Sequence, residues 1–104
     1  MTAMQSFSRS IDSLFRRLGM AATYQPALGA ALEVAVIPKR PEQIIGLGDI
    51  GAVTEATFFD LRVAEVIEPK AGDVIEYDGT EYRIIAEPKR DIHRLVWTVE
   101  AEAL

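Results

Sequence analysis

Cysteine is absent from the 104 residues, which excludes disulfides, thiolate metal sites and cysteine nucleophiles. Histidine occurs once, at His93, too little for a histidine metal cage. No apolar run nears the ~20 residues of a membrane helix. Residues 1–10 carry no apolar signal core, so a soluble, cytoplasmic protein without membrane attachment is expected. There is no G-x-S-x-G element, and no pair of acids has a spacing that selects it as an acid/base dyad. No catalytic residue, cofactor or metal is therefore expected. Internal repeats and low-complexity segments are missing too. What is there is the composition of a folded domain, 49% hydrophobic and 26% charged, at a length that accommodates one. A domain of this size buries roughly 65% of its unfolded surface, so its stability margin is thin.

Charge is uneven along the chain. Residues 1–40 hold five basic and two acidic residues, whereas residues 41–104 hold six basic and fourteen acidic ones. The acidic body argues against wrapping nucleic acid, whose phosphates it would repel. It suits a wall that DNA passes without sticking, and equally a domain charged only for solubility.

The first 19 residues read as a helical arm. Thr2 and Gln5 have capping-box spacing. Met4, Phe7, Ile11, Leu14 and Leu18 recur at helical spacing as one apolar stripe, widened by Phe15. Arg16 and Arg17 sit in the last turn, where cations suit the helix dipole, and Gly19 stands at the C′ stop. The spacing predicts a helix over 3–18. Such a helix is marginal alone, so its stripe packs either on the protein's own core or on a neighbouring subunit.

Residues 20–104 read as strands. Candidates lie at 21–25, 31–37, 52–61, 74–77, 80–87 and 92–101, rich in β-branched and aromatic residues. Pro38 and Pro41 end the second of these. Asp78-Gly79 is a two-residue type I′ turn signal, because both central residues need positive φ. It pairs Tyr77 with Thr80 and places Ile75 opposite Tyr82, with Ile84 on the same face. The expected fold is mainly β: a small antiparallel barrel or sandwich of about six to seven strands with an N-terminal amphipathic helix. A long mobile loop is expected at about 38–51. Its apolar residues Ile44, Ile45, Leu47 and Ile50 either order on assembly or tuck back onto the core.

Three sharper motifs weigh less. Residues 46–51 match G-x-G-x-x-G, with Asp73 near the expected distance, but the following segment is a poor helix and the chain is too short for a doubly wound sheet. A glycine-hinged loop is the better reading. Lys89, Arg90 and Arg94 form a small basic cluster best read as a solvated loop. Trp97 with Phe58, Phe59, Tyr77 and Tyr82 lacks the basic groove of a single-strand platform and reads as core.

One longer pattern remains. Phe59-Asp60-Leu61-Arg62-Val63-Ala64-Glu65-Val66 leads to Ala71-Gly72-Asp73-Val74-Ile75. Then come Tyr77-Asp78-Gly79-Thr80-Glu81-Tyr82-Arg83-Ile84-Ile85 and a strand ending in Leu95-Val96-Trp97. This resembles the head–tail joining (head-completion, or stopper) proteins of tailed bacteriophages, the lambda-type family also found in prophages and gene transfer agents. That family has a flexible N-terminal region and a long mobile loop in a β-barrel frame; here a helix pattern stands in the N-terminal place. The resemblance implies a non-enzymatic protein of the virion neck. It would form a homo-oligomeric ring between the portal or adaptor ring and the tail terminator or tail tube. DNA would pass through without sequence-specific binding. Assembly contacts are expected from the helix (Met4, Phe7, Ile11, Leu14, Phe15, Arg16, Arg17, Leu18) and from the loop and its entry (Lys39, Arg40, Ile44, Ile45, Leu47, Ile50). The alternative is a small β-barrel binding module for a peptide or single-stranded nucleic acid.

Overall fold

A computed structural model describes residues 3–39 and 56–104. The elements are α1 (Ala3–Leu18), β1 (Met20–Gln25), β2 (Leu32–Lys39), β3 (Thr57–Arg62), β4 (Val74–Tyr77), β5 (Thr80–Ile84), β6 (Lys89–Arg90) and β7 (Val96–Ala103). All strand pairings are antiparallel. The order is β3-β2-β1-β4-β5-β7, and β7 pairs back onto β3, closing a six-stranded barrel. The short strand β6 adds to β7 outside that ring.

Local chemistry sets the register. Asp78 and Gly79 take φ of 53° and 78°, as a type I′ turn requires, and Tyr77 pairs with Thr80 and Ile75 with Tyr82. Strand alternation then sends one set of side chains inward. Ala22 and Tyr24, Val34 and Val36, Phe59 and Leu61, Val99 and Ala101 enter as i, i+2 pairs and meet Ile75, Ile84 and Val66. Each large apolar side chain buried this way contributes roughly 1.5–3 kcal/mol. Phe59 takes Tyr77 and Tyr82 edge-on, with centroids 5.8 and 5.2 Å away.

Two expectations change. The second strand runs through Pro38 to Lys39, so a loop starting at residue 38 is corrected: Pro38 pairs with Phe59. The physical reason is position. Ala35 turns its N–H away from β1, toward Glu65, so by alternation Pro38 turns its nitrogen toward the β1 side. There, pairing has already stopped at Met20–Val36, and the missing N–H costs no ladder bond. Second, the last strand begins at Val96 rather than near residue 92. Asp91 intercepts the chain, its carboxylate accepting the N–H groups of Leu95 at 2.7 Å and Val96 at 3.0 Å, with Arg94 at φ 62°. The same turn folds Lys89 and Arg90 back as β6, in what the sequence presents as a loop. Thr2, Arg40, Ile44, Ile45, Leu47, Ile50, the glycine motif at 46–51 and the first part of the strand expected at 52–61 lie outside the described residues.

The Gly72-Asp73 pair closes the barrel's other end. Gly72 has φ 97°, and its N–H reaches the Ile84 carbonyl at 2.8 Å. The Asp73 side chain, 4% exposed, accepts the Tyr24 hydroxyl and the N–H groups of Ala27 at 2.9 Å and Lys70 at 3.0 Å. One carboxylate thus ties the β1–β2 loop to the β3–β4 loop.

Candidate functional site

The helix forms where its spacing predicts, but only one edge of its stripe is covered. Phe15 is buried, at 3% exposure, beneath the Arg62 guanidinium, which lies 5.4 Å above its ring. Arg62, at the end of β3, also pairs with Asp12 of the helix at 3.3 Å and with Glu65 at 3.0 Å. Near the other end of the helix, Phe7 stacks on His93, with ring centroids 4.1 Å apart. Gly19 joins helix to barrel. Its N–H bonds to the Phe15 carbonyl at 2.8 Å, and a Cβ placed on it would sit 2.3 Å from that same oxygen. Gly19 is therefore required by close approach and not by a left-handed φ.

These contacts roll the helix so that much of the apolar stripe faces outward. Met4, Phe7, Leu14 and Leu18 are exposed, Leu18 to 56%, and Met20 continues the patch onto β1. Ile11 is half-buried. The expected interface residues thus divide. Met4, Leu14 and Leu18 are the open part of the stripe, with Arg17 beside Leu14. Phe7 gives one ring face to His93, Phe15 belongs to the helix–barrel junction, and Arg16 stands on the opposite flank of the helix, bonded to Ser13 at 3.0 Å. Lys39 sits at the end of β2 and pairs with Asp60 at 2.7 Å, so its charge is used within the chain. Asp60 also accepts the Thr98 hydroxyl at 2.8 Å.

Other readings of the sequence find their places. Tyr77, Tyr82 and Trp97 pack against the core cluster and Phe59 is wholly inside it, whereas Phe58, on the other face of β3, is half-buried outside that cluster. Arg90 lies 5.0 Å over the Trp97 ring. Among the described residues the buried Trp97 indole N–H meets no acceptor. His93, unremarkable in sequence, is the ring on which the helix rests. Asp12 and Arg62 also fix the helix, with Glu65 holding Arg62 in place; Arg62 and Glu65 fall within the Phe59–Val66 stretch, but nothing in that pattern marks this role. Their one signal is charge: Arg62 directly follows the strand expected at 52–61. Among the described residues no three or more histidine and carboxylate side chains are placed to hold a metal, and no helix is long and apolar enough to cross a membrane.

The fold is thus a small closed barrel with a filled core and an external amphipathic helix, on which Met4, Phe7, Leu14 and Leu18 stay exposed. A family model for the phage head-tail attachment protein matches residues 4–101, nearly the whole chain. The chain belongs to that family, and is a structural phage protein that joins head and tail. No curated protein matches it.

Proposed function

We propose that this chain sits in the virion neck, where it connects the portal or adaptor ring of the DNA-filled head to the tail terminator or tail tube, and helps retain packaged DNA. The observation that carries this reading is the helix: Met4, Phe7, Leu14 and Leu18 remain exposed although the barrel core beneath is complete. Apolar surface gathered this way marks a protein contact. The acidic body suits a passage along which DNA moves without sequence-specific binding.

The test is removal of the gene from its source phage. DNA-filled heads and finished tails should accumulate separately, and added protein should join them. Heads lacking the protein should lose their DNA to nuclease. Intact, tailed, DNA-filled particles from the deletion strain would overturn the proposal.

A further inference from the structure

The outer face of α1 has a charge pattern as well as an apolar one. Arg9 and Arg17 flank exposed Leu14 along a shallow cleft of about 340 Å³ on the helix. At 1.5 Å per residue, the two arginines stand about 12 Å apart along the axis. On a different part of the same molecule the strand register builds a matching surface. Glu33 of β2 pairs with Thr23 of β1, Thr23 pairs with Glu76 of β4, and Glu76 pairs with Glu81 of β5. Ala22 and Tyr24 point into the barrel, so this row lies on the outer face, and its three glutamates are exposed. Two strand spacings separate Glu33 from Glu76, about 10 Å. Between them Ala21, Ala22 and Thr23 form a low floor in a cleft of about 290 Å³, rimmed also by Asp78. Glu76 directly opposite Glu81 is a like-charge pair, unfavourable in the isolated chain.

We propose that the free helix face docks on the β2–β1–β4–β5 face of a second copy of this chain. Arg9 and Arg17 of one copy lie over Glu33 and Glu76 of the next, and Leu14 rests on the small-residue floor between them. The occupant is another copy because the two surfaces are opposite in charge and close in spacing. The same chain cannot satisfy both, since its own helix is held by Phe15, Asp12 and Phe7 with Arg9, Leu14 and Arg17 on the side facing away. The contact is heterologous, so each copy offers one helix and one acidic face, and repetition gives a ring or a filament. This inference rests on the neck reading only for its setting, and it names the partner of the exposed helix.

The absence of cysteine makes the contact directly testable. Leu14→Cys and Thr23→Cys placed together in one chain should, on oxidation at low salt and high protein concentration, yield a ladder of dimers, trimers and larger species. Either substitution alone should give no ladder. Raising the salt well above physiological should cut the ladder about tenfold, because exposed charge pairs are screened. A second arm uses charge reversal on that cysteine pair. Chains with Arg9→Glu and Arg17→Glu, or with Glu33→Lys and Glu76→Lys, should each lose the ladder. A mixture of the two should restore it, since every contact in an alternating array is again between opposite charges. A strong dimer from Leu14→Cys alone would mean a symmetric helix–helix contact and overturn the proposal, as would a ladder indifferent to charge reversal or no ladder at all. Particle assembly is scored separately: heads joined to tails by a charge-reversed chain that forms no ladder would sink this contact and leave the neck reading standing.

Discussion

The Tyr24 hydroxyl donates to the carboxylate of Asp73, a residue 49 positions away and almost wholly buried. Asp73 takes two backbone N–H groups besides, so the tyrosine completes the coordination of a charge enclosed at the barrel end. Burial, then the hydrogen bond to Asp73 and its charge, hold the Tyr24 hydroxyl protonated well above the ordinary range for tyrosine.

Removing that bond has two measurable effects. Tyr24→Phe leaves a buried carboxylate short of one donor and should cost about 1–3 kcal/mol in urea unfolding. It should also change the alkaline limb. A folded-state pKa raised above the unfolded value gives stability that is present below about pH 10 and lost as pH rises past it. The wild type should therefore fall more steeply above that pH than Tyr24→Phe. Parallel alkaline slopes would show that Tyr24 ionises as readily in the fold as outside it.

The acid limb should report on Asp91. Burial pushes its carboxyl upward, but the N–H groups of Val96, Leu95 and His93, with the nearby His93 charge, outweigh it and leave the pKa below the ordinary carboxylate value. A depressed folded pKa means stability present above the ordinary carboxylate range and lost as pH falls through the folded value. Asp91→Asn should flatten that acid dependence. In the wild type, acid should broaden the amide signals of Leu95 and Val96 before those of the barrel core.

Gly79 and Gly19 separate two reasons for glycine. Gly79 has φ 78° and open space where a Cβ would stand, so Gly79→Ala should cost only the backbone term, about 1–2 kcal/mol. Gly19→Ala meets the Phe15 carbonyl oxygen at 2.3 Å and should displace the helix from the barrel. Amide exchange in α1 should then accelerate while β4 and β5 stay protected; uniform loss of protection would mean that the junction and the barrel unfold together.

The sequence disclosed what local chemistry controls. Helix spacing gave α1 its bounds, and the Asp-Gly turn gave β4 and β5 their pairing, because one turn type admits one register. Closure of the barrel was less legible: β3 meets β7 through contacts nearly 40 positions apart that no local pattern encodes. The roll of the helix was hidden for the same reason. Periodicity places Phe15 beside the stripe, yet Arg62, His93 and Asp12 decide which edge turns inward. The acidic row was within reach, since the hairpin register alone sets Glu76 opposite Glu81; adding Glu33 required the β1–β2 and β1–β4 pairings.

That roll makes neighbouring helix residues behave oppositely. Phe15→Ala empties a buried site beneath Arg62 and should cost about 3–5 kcal/mol, a large share of a small domain's stability. Leu18→Asp changes a side chain already 56% exposed but puts a carboxylate at the helix C-terminus, and should cost about 1 kcal/mol, well short of unfolding the domain. In particle complementation the order should reverse in meaning. Leu18→Asp protein should be folded and abundant yet join few heads to tails, because a carboxylate replaces apolar surface that a partner must cover. Phe15→Ala should fail only as far as it unfolds, and lowering the temperature should recover it. If Leu18→Asp joins particles as efficiently as wild type, the exposed stripe is not an assembly surface, and the helix serves the barrel alone.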